Sequence, residues 1–158
     1  MSIIQNNSVI ISDQNTRLKL RSLGAGVDEG DITKLSLPEA YYFSELGVLP
    51  VDKKNIESAA IFDKFFQKKV TLIRYFRERG YISVASFDDS PYLRLYKKGF
   101  RPAEDRTQYL LAIISKTQEI STILDSLDIT AKMRKDLVCV LMDSNEPVFL
   151  KCSRSNFD

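Results

Sequence analysis

Near Gly80 the spacing of apolar residues changes from a helical to an alternating period. Apolar residues three and four apart lie on one face of a helix, while strict alternation marks a strand with one face buried. The chain therefore reads as two α+β segments in sequence, 1–80 and 81–158, with the join anywhere between about 66 and 82. At 158 residues a chain buries roughly two thirds of its unfolded surface, enough for a core without disulfides or metal.

In the first segment Val9-Ile10-Ile11 is a short apolar strand, and Ser12, followed by Asp13 and Gln14, is placed to cap a helix that ends at Gly24. The stretch from Gly24 to Gly30 holds three glycines and two acids and reads as a surface loop before a strand at Ile32 to Leu35. Its acids would repel phosphate, and its glycine spacing fits no nucleotide cradle. Ser36-Leu37-Pro38-Glu39 is a capping box. There the Ser hydroxyl can accept from the third helical N–H while the Glu reaches back to the Ser N–H. The following helix, Glu39 to Glu45, should bury Ala40, Phe43 and Leu46 and stop at Gly47. A longer helical region runs from about Asn55 to Arg79, with Ile61, Phe65, Leu72 and Phe76 apolar and a break near Gln67.

Beyond Gly80, Tyr81 to Phe87, Tyr92 to Tyr96 and Gln108 to Ile114 read as three successive strands, followed by a helix from about Ile120 to Arg134. Asp136 to Met142 and Val148 to Cys152 form an apolar hairpin around the turn Asp143 to Pro147. Such continuous apolar runs need cover on both faces, so this hairpin lies either inside a sandwich or at a subunit interface.

Composition removes whole classes of chemistry. The chain has no His, which excludes a Ser/His/Asp triad, a Cys/His dyad, His-ligated zinc and a His acid or base. A net charge of +2 pushes only weakly toward nucleic acid, so any RNA contact is local. Lys53-Lys54, Lys68-Lys69 and Lys97-Lys98 are candidates for such a patch, although separated Lys pairs among acids are usually solvated faces. Tyr41, Tyr42, Phe43, Phe65, Phe66, Tyr75 and Phe76 recur at helical spacing, which favours core packing over base stacking. Cys139 and Cys152 read as reduced, small buried hydrophobes. The longest apolar stretches are too short for a bilayer, and the N-terminus lacks a charged segment followed by an apolar one, so a cytoplasmic protein is expected.

Four motifs recur in a specific order: Leu35-Ser-Leu-Pro-Glu-Ala-Tyr41 with Gly47, Tyr75-Phe-Arg-Glu-Arg-Gly-Tyr81, Leu93-Arg-Leu-Tyr-Lys-Lys-Gly99 and Met133-Arg-Lys-Asp-Leu-Val138. In that order and spacing they resemble the archaeal tRNA-splicing endonuclease family over nearly the whole chain. The resemblance implies a small N-terminal α/β domain followed by a nuclease-like domain, a mixed β-sheet flanked by helices. Family enzymes cut precursor tRNA at a bulge-helix-bulge without metal or other cofactor. The intron 2′-hydroxyl attacks the adjacent phosphate, leaving a 2′,3′-cyclic phosphate and a 5′-hydroxyl. A Tyr serves as general base, a His as general acid, and a Lys stabilises the phosphorane.

Carried over by motif, the Tyr falls on Tyr96 and the Lys on Lys135, while the position of the His holds Arg106. A guanidinium does not release its proton near neutral pH and cannot act as the acid. Loss of general acid catalysis costs about 10²- to 10⁴-fold. Asp88-Asp89-Ser90-Pro91 replaces a Gly- and Lys-bearing loop of catalytic members, and Asp128 stands near the family's base-clamping Arg. The catalytic set is thus reduced to remnants, Tyr96, Arg106 and Lys135, with no metal site implied. Taken alone, Tyr96 is an ordinary strand aromatic and Lys135 an ordinary cation near a helix C-terminus.

The resemblance then implies the noncatalytic, structural subunit of a heterotetramer, paired with a His-containing catalytic paralogue in an α2β2 complex that binds precursor tRNA. Its docking loop would be Asp143, Ser144, Asn145 and Glu146, reaching a basic pocket on the opposite dimer. Its dimer strand would be Val148, Phe149, Leu150, Lys151 and Cys152. Two other readings remain open here: an active nuclease using Tyr96, Arg106 and Lys135, and a diverged RNA-binding or interaction module.

Overall fold

The computed structural model describes residues 2–96, 98, 107–144 and 146–157. It is an α+β fold with two sheets. The first contains β1 (Ser2–Gln5), β2 (Ser8–Ile11), β3 (Val27–Glu29) and β4 (Ile32–Ser36), all antiparallel, in the order β1-β2-β4-β3. The second contains β5 (Ser83–Ala85), β6 (Tyr92–Tyr96), β7 (Thr107–Ile114), β8 (Asp136–Leu141) and β9 (Val148–Cys152), side by side in chain order. Only β7 and β8 are parallel. A parallel pair needs a crossover, and α5 (Ile120–Met133) supplies it.

Local chemistry accounts for most element ends. α1 (Gln14–Ser22) is capped by Asp13, not by Ser12 as expected. The Asp13 carboxylate accepts from the Thr16 N–H at 2.9 Å and the Thr16 hydroxyl at 2.7 Å, which a serine one residue earlier is not placed to do. The expected 24–30 loop contains β3, whose three exposed residues carry no apolar alternation that could have revealed it. The strand β1 also went unread, because its hairpin to β2 turns at Asn6-Asn7 with Asn6 at φ 54°, without the Asn-Gly signal.

α2 (Leu37–Glu45) ends in a Schellman motif: the Val48 N–H bonds the Phe43 carbonyl at 3.0 Å, and the Gly47 N–H bonds that of Ser44 at 3.1 Å. Gly47 sits at φ 73°, a conformation that costs a side-chain-bearing residue about 1–2 kcal/mol. Ala40 and Phe43 are buried as the helical period requires, but Leu46 is the C-cap and stands exposed. Half of the capping box forms as expected, with Glu39 reaching back to accept from the Ser36 N–H, but the Ser36 hydroxyl donates to the Glu39 carboxylate at 3.1 Å and caps no helical N–H.

The long helical region divides into α3 (Lys53–Ala59) and α4 (Phe66–Glu78), earlier than the expected break near Gln67. Asp63 is the cause, since its carboxylate accepts the Phe65 N–H at 2.9 Å and offers the backbone an alternative to helix. Ile61 falls in this break and is exposed, while Leu72 and Phe76 are buried and Phe65 is half-buried.

One buried cluster runs through both sheets, from Val9, Ile11, Leu35 and Phe43 through Leu72 and Ile73 to Leu93, Leu111 and Val140. Helix α4 makes the bridge: Tyr75 and Phe76 lie with ring centroids 5.5 and 5.4 Å from Phe149 of β9. On the opposite face of the second sheet, Ile123 and Leu127 of α5 pack over Ala112, Leu137 and Cys139. The second sheet is thus mixed and flanked by helices. Among the described residues, no helix is long and apolar enough to cross a membrane.

Candidate functional site

Strand register decides which candidate residues meet. Tyr96 ends β6 and pairs with Thr107 at the start of β7, next to a bulge between Leu95 and Tyr96. Two residues along β7, Tyr109 pairs with Asp136, the first residue of β8, and Lys135 directly precedes it. Tyr96 and Lys135 therefore occupy the same end of the second sheet, two strand spacings or about 10 Å apart along the sheet. Tyr96 is buried and Lys135 half-buried. Arg106 lies outside the described residues.

Lys135 is aimed by the end of α5. Arg134 adopts the left-handed conformation at φ 56°, and the Lys135 N–H bonds the Thr130 carbonyl at 3.0 Å, closing the helix and turning the chain into β8. Glycine would fill that position without strain, so Arg134 holds a conformation that costs about 1 kcal/mol. Asp128 of α5 is ion-paired to Arg154 at 2.8 Å.

The expected docking loop lies at the other end. Leu141, the last residue of β8, pairs with Ile114 and Val148, so the turn through Asp143, Ser144 and Glu146 is a full strand length from Tyr96 and Lys135. Six residues of strand span about 20 Å. Asp143, Ser144 and Glu146 are exposed, and the Ser144 hydroxyl closes the turn on the Glu146 carbonyl at 3.0 Å. Asn145 lies outside the described residues. None of the described residues expected in this loop meets the Tyr96–Lys135 end within one chain.

Strand β9 is the outer edge of the sheet. Phe149 turns inward onto α4, but Val148 and Leu150 are 48% and 44% exposed, so the hairpin expected to be covered on both faces is open on this side. Lys151 reaches Asp136 across the pair at 3.4 Å. Ile120 and Leu124 of α5 are also exposed, which extends the apolar surface. An unpaired edge with apolar side chains is a template for another strand.

Cys139 and Cys152 are free thiols with their Sγ atoms 3.4 Å apart. Cys139 is buried as expected but Cys152 only half so. Burial first, then the Cys152 thiol, pushes the Cys139 thiol up to about 12, so it stays protonated and weakly nucleophilic.

Of the Lys pairs, Lys69 is withdrawn from any solvent-facing patch. Lys69 is fully buried, its ammonium donating to the Asp63 carboxylate at 3.1 Å and the Asp88 carbonyl at 3.0 Å. Lys53 lies over the Tyr41 ring and Lys98 over that of Tyr81, each at 5.6 Å, while Lys97 is outside the described residues. Sequence reasoning missed Lys69, because a Lys-Lys pair on a charged helix looks solvated. It also missed the buried pair of Glu39 and Arg77, 3.7 Å apart. Burial pushes the Glu39 carboxyl up to about 7 against the opposing pull of Arg77 and Ser36. Only the long-range packing of α2 on α4 brings these two together. Among the described residues no cluster of three or more His, Cys, Asp or Glu forms a metal site. No protein-family model matches the chain.

Proposed function

We propose that this chain is the structural subunit of a heteromeric tRNA-splicing endonuclease, acting in the cytoplasm with a His-bearing catalytic paralogue on precursor tRNA. The observation that carries the reading is the open β9 edge, with exposed Val148 and Leu150 beside an acidic loop about 20 Å from the chain's own Tyr96–Lys135 end. A loop so placed acts on another subunit, and an edge so exposed is covered by one. The sequence adds that no imidazole exists anywhere in the chain to protonate a leaving 5′ oxygen.

In this role β9 adds to the partner's sheet through main-chain hydrogen bonds, with Val148 and Leu150 giving apolar contact. Asp143 and Glu146 supply charge for a cationic pocket, which fixes register and speeds association more than it adds affinity. The partner supplies base, acid and phosphorane stabiliser.

A second reading, an active nuclease of the same fold, is favoured by Tyr96 and Lys135 sharing one sheet end. One experiment separates the two. The purified chain is incubated with a bulge-helix-bulge RNA, alone and with the His-bearing paralogue from the same genome, and products are tested for a 2′,3′-cyclic phosphate. The structural role predicts cutting only by the mixture. Cutting by the chain alone, lost in Tyr96→Phe, would establish the active nuclease instead.

A further inference from the structure

The seam between the two sheets carries a groove that the proposed role does not use. Three adjoining cavities of about 230, 480 and 480 Å³ share Phe87 and Asp88 of the β5–β6 loop. Apolar side chains stand open on its rim: Phe62 is 91% exposed, and Phe87 is exposed as well. Leaving a phenyl ring in water is unfavourable, and a rim of such rings around acids marks a contact surface.

The groove is held in shape from below. Buried Lys69 binds Asp63 on the α3–α4 loop and the Asp88 carbonyl on the β5–β6 loop, fastening together the two loops that carry Phe62 and Phe87. The Ser90 N–H donates to the Asp88 carboxylate at 3.0 Å, and the Ser86 and Ser90 hydroxyls lie 2.9 Å apart, which fixes the loop itself.

Its charge chooses the occupant. Lys69 neutralises Asp63, and Lys34 is paired to Glu29 at 2.9 Å. Asp88 and Asp89 are exposed and, among the described residues, not ion-paired; exposed Arg94 lines one of the three cavities, and the two acids outnumber it. RNA phosphate is repelled by such a surface, and two copies of this chain meeting here would set these carboxylates against each other. A Lys or Arg beside an apolar side chain meets both features, the cation on the carboxylates or over a ring and the apolar group among the phenyls.

We propose that this groove docks a peptide segment of a partner protein in which Lys or Arg residues flank an apolar anchor.

The test is a titration of the full-length ¹⁵N-labelled chain, followed by amide shifts, with the acetylated and amidated pentapeptide KKFKK and with KKGKK and EEFEE as controls. Saturable shifts at Phe62, Phe87 and Asp89 are expected with KKFKK. Affinity should fall at least tenfold for KKGKK and for D88N/D89N, and about fivefold for F62S, with no binding of EEFEE. The Phe62 side chain is almost wholly exposed and an Asn can keep the Asp88 turn bond, so each variant should fold, which its own amide spectrum verifies. Shifts scattered over all surface acids, or an affinity unchanged in D88N/D89N, would overturn the proposal. So would concentration-dependent shifts at the same amides without peptide, which would mean a second copy, or equal shifts with a short single-stranded RNA.

Discussion

The first sheet with its helices and the second sheet with its edge bury different things. Among the described residues, the acidic and basic side chains buried inside the protein belong to the first region: Arg17, Glu39, Lys69 and Arg77. Each is tied to partners far along the chain. Arg17 donates to the Thr33 hydroxyl and to the Gly30 and Ile32 carbonyls, and Arg77 reaches the Leu23 and Gly24 carbonyls. Among the described residues, the second region buries Leu93, Leu111, Leu137 and Val140 and, of polar side chains, only Ser83, Ser126 and Thr130. Yet it leaves Val148 and Leu150 in water. The first region is closed by ionic ties that admit few alternatives; the second has a mostly apolar interior and leaves Val148 and Leu150 of its edge strand uncovered. The two regions thus differ in where charge and apolar surface end up.

The contrast breaks most sharply at Lys69. Replacing it by Ala leaves Asp63, 13% exposed, without its counter-charge, and should cost about 3 kcal/mol or more in urea denaturation. Lys69→Met, which restores apolar volume, should cost clearly less when combined with Asp63→Asn. If Lys69→Ala costs under about 1 kcal/mol, the first region does not depend on its ionic ties.

Glu39 sharpens it through pH. Its folded carboxyl titrates at about 7 against the ordinary 4.5, so the folded state holds a proton that the unfolded chain has released. Unfolding stability from this group is therefore full below about pH 4.5, declines as pH rises to about 7, and is flat above it. The decline should amount to at most about 3 kcal/mol, and Glu39→Gln should remove it. Urea midpoints at several pH values check the slope. A wild-type slope equal to that of Glu39→Gln would place the titration elsewhere.

A smaller effect is expected at the end of α5, where Arg134→Gly should raise stability by about 1 kcal/mol by relieving the left-handed backbone. The smallest stability change belongs to the open edge. Val148→Lys with Leu150→Lys should alter the urea midpoint by less than about 0.5 kcal/mol, yet abolish co-purification with the catalytic paralogue. Asp143→Lys with Glu146→Lys should likewise leave the fold intact and prevent cleavage by the reconstituted mixture. Undiminished cleavage in both variants would separate the edge and the loop from assembly.

Much of the fold is legible from short windows. The change of period at Gly80, the strands at Tyr92 to Tyr96 and Gln108 to Ile114, the helix beginning at Ile120 and the final hairpin all stand where their apolar spacing puts them. The glycine at 47 ends its helix because the motif is local. Elements with no period of their own, such as the three-residue β3, escaped notice, as did the cap at Asp13 and the break made by Asp63, where one side chain outcompetes the pattern. Of the candidate site, strand register puts Tyr96 and Lys135 at one sheet end, a long-range fact that no short window carries.

By itself, the sequence determined the order and kind of most of the elements and the lack of any imidazole, since periodicity, caps and composition are properties of neighbouring residues. Tertiary structure alone decided that Lys69 is buried, that Glu39 meets Arg77, that Phe62 and Phe87 flank one groove, and that β9 is left uncovered. These depend on contacts between residues 19 or more apart, such as Lys69 with Asp88, for which a charge or ring has the same local appearance whether it ends in water or in the core.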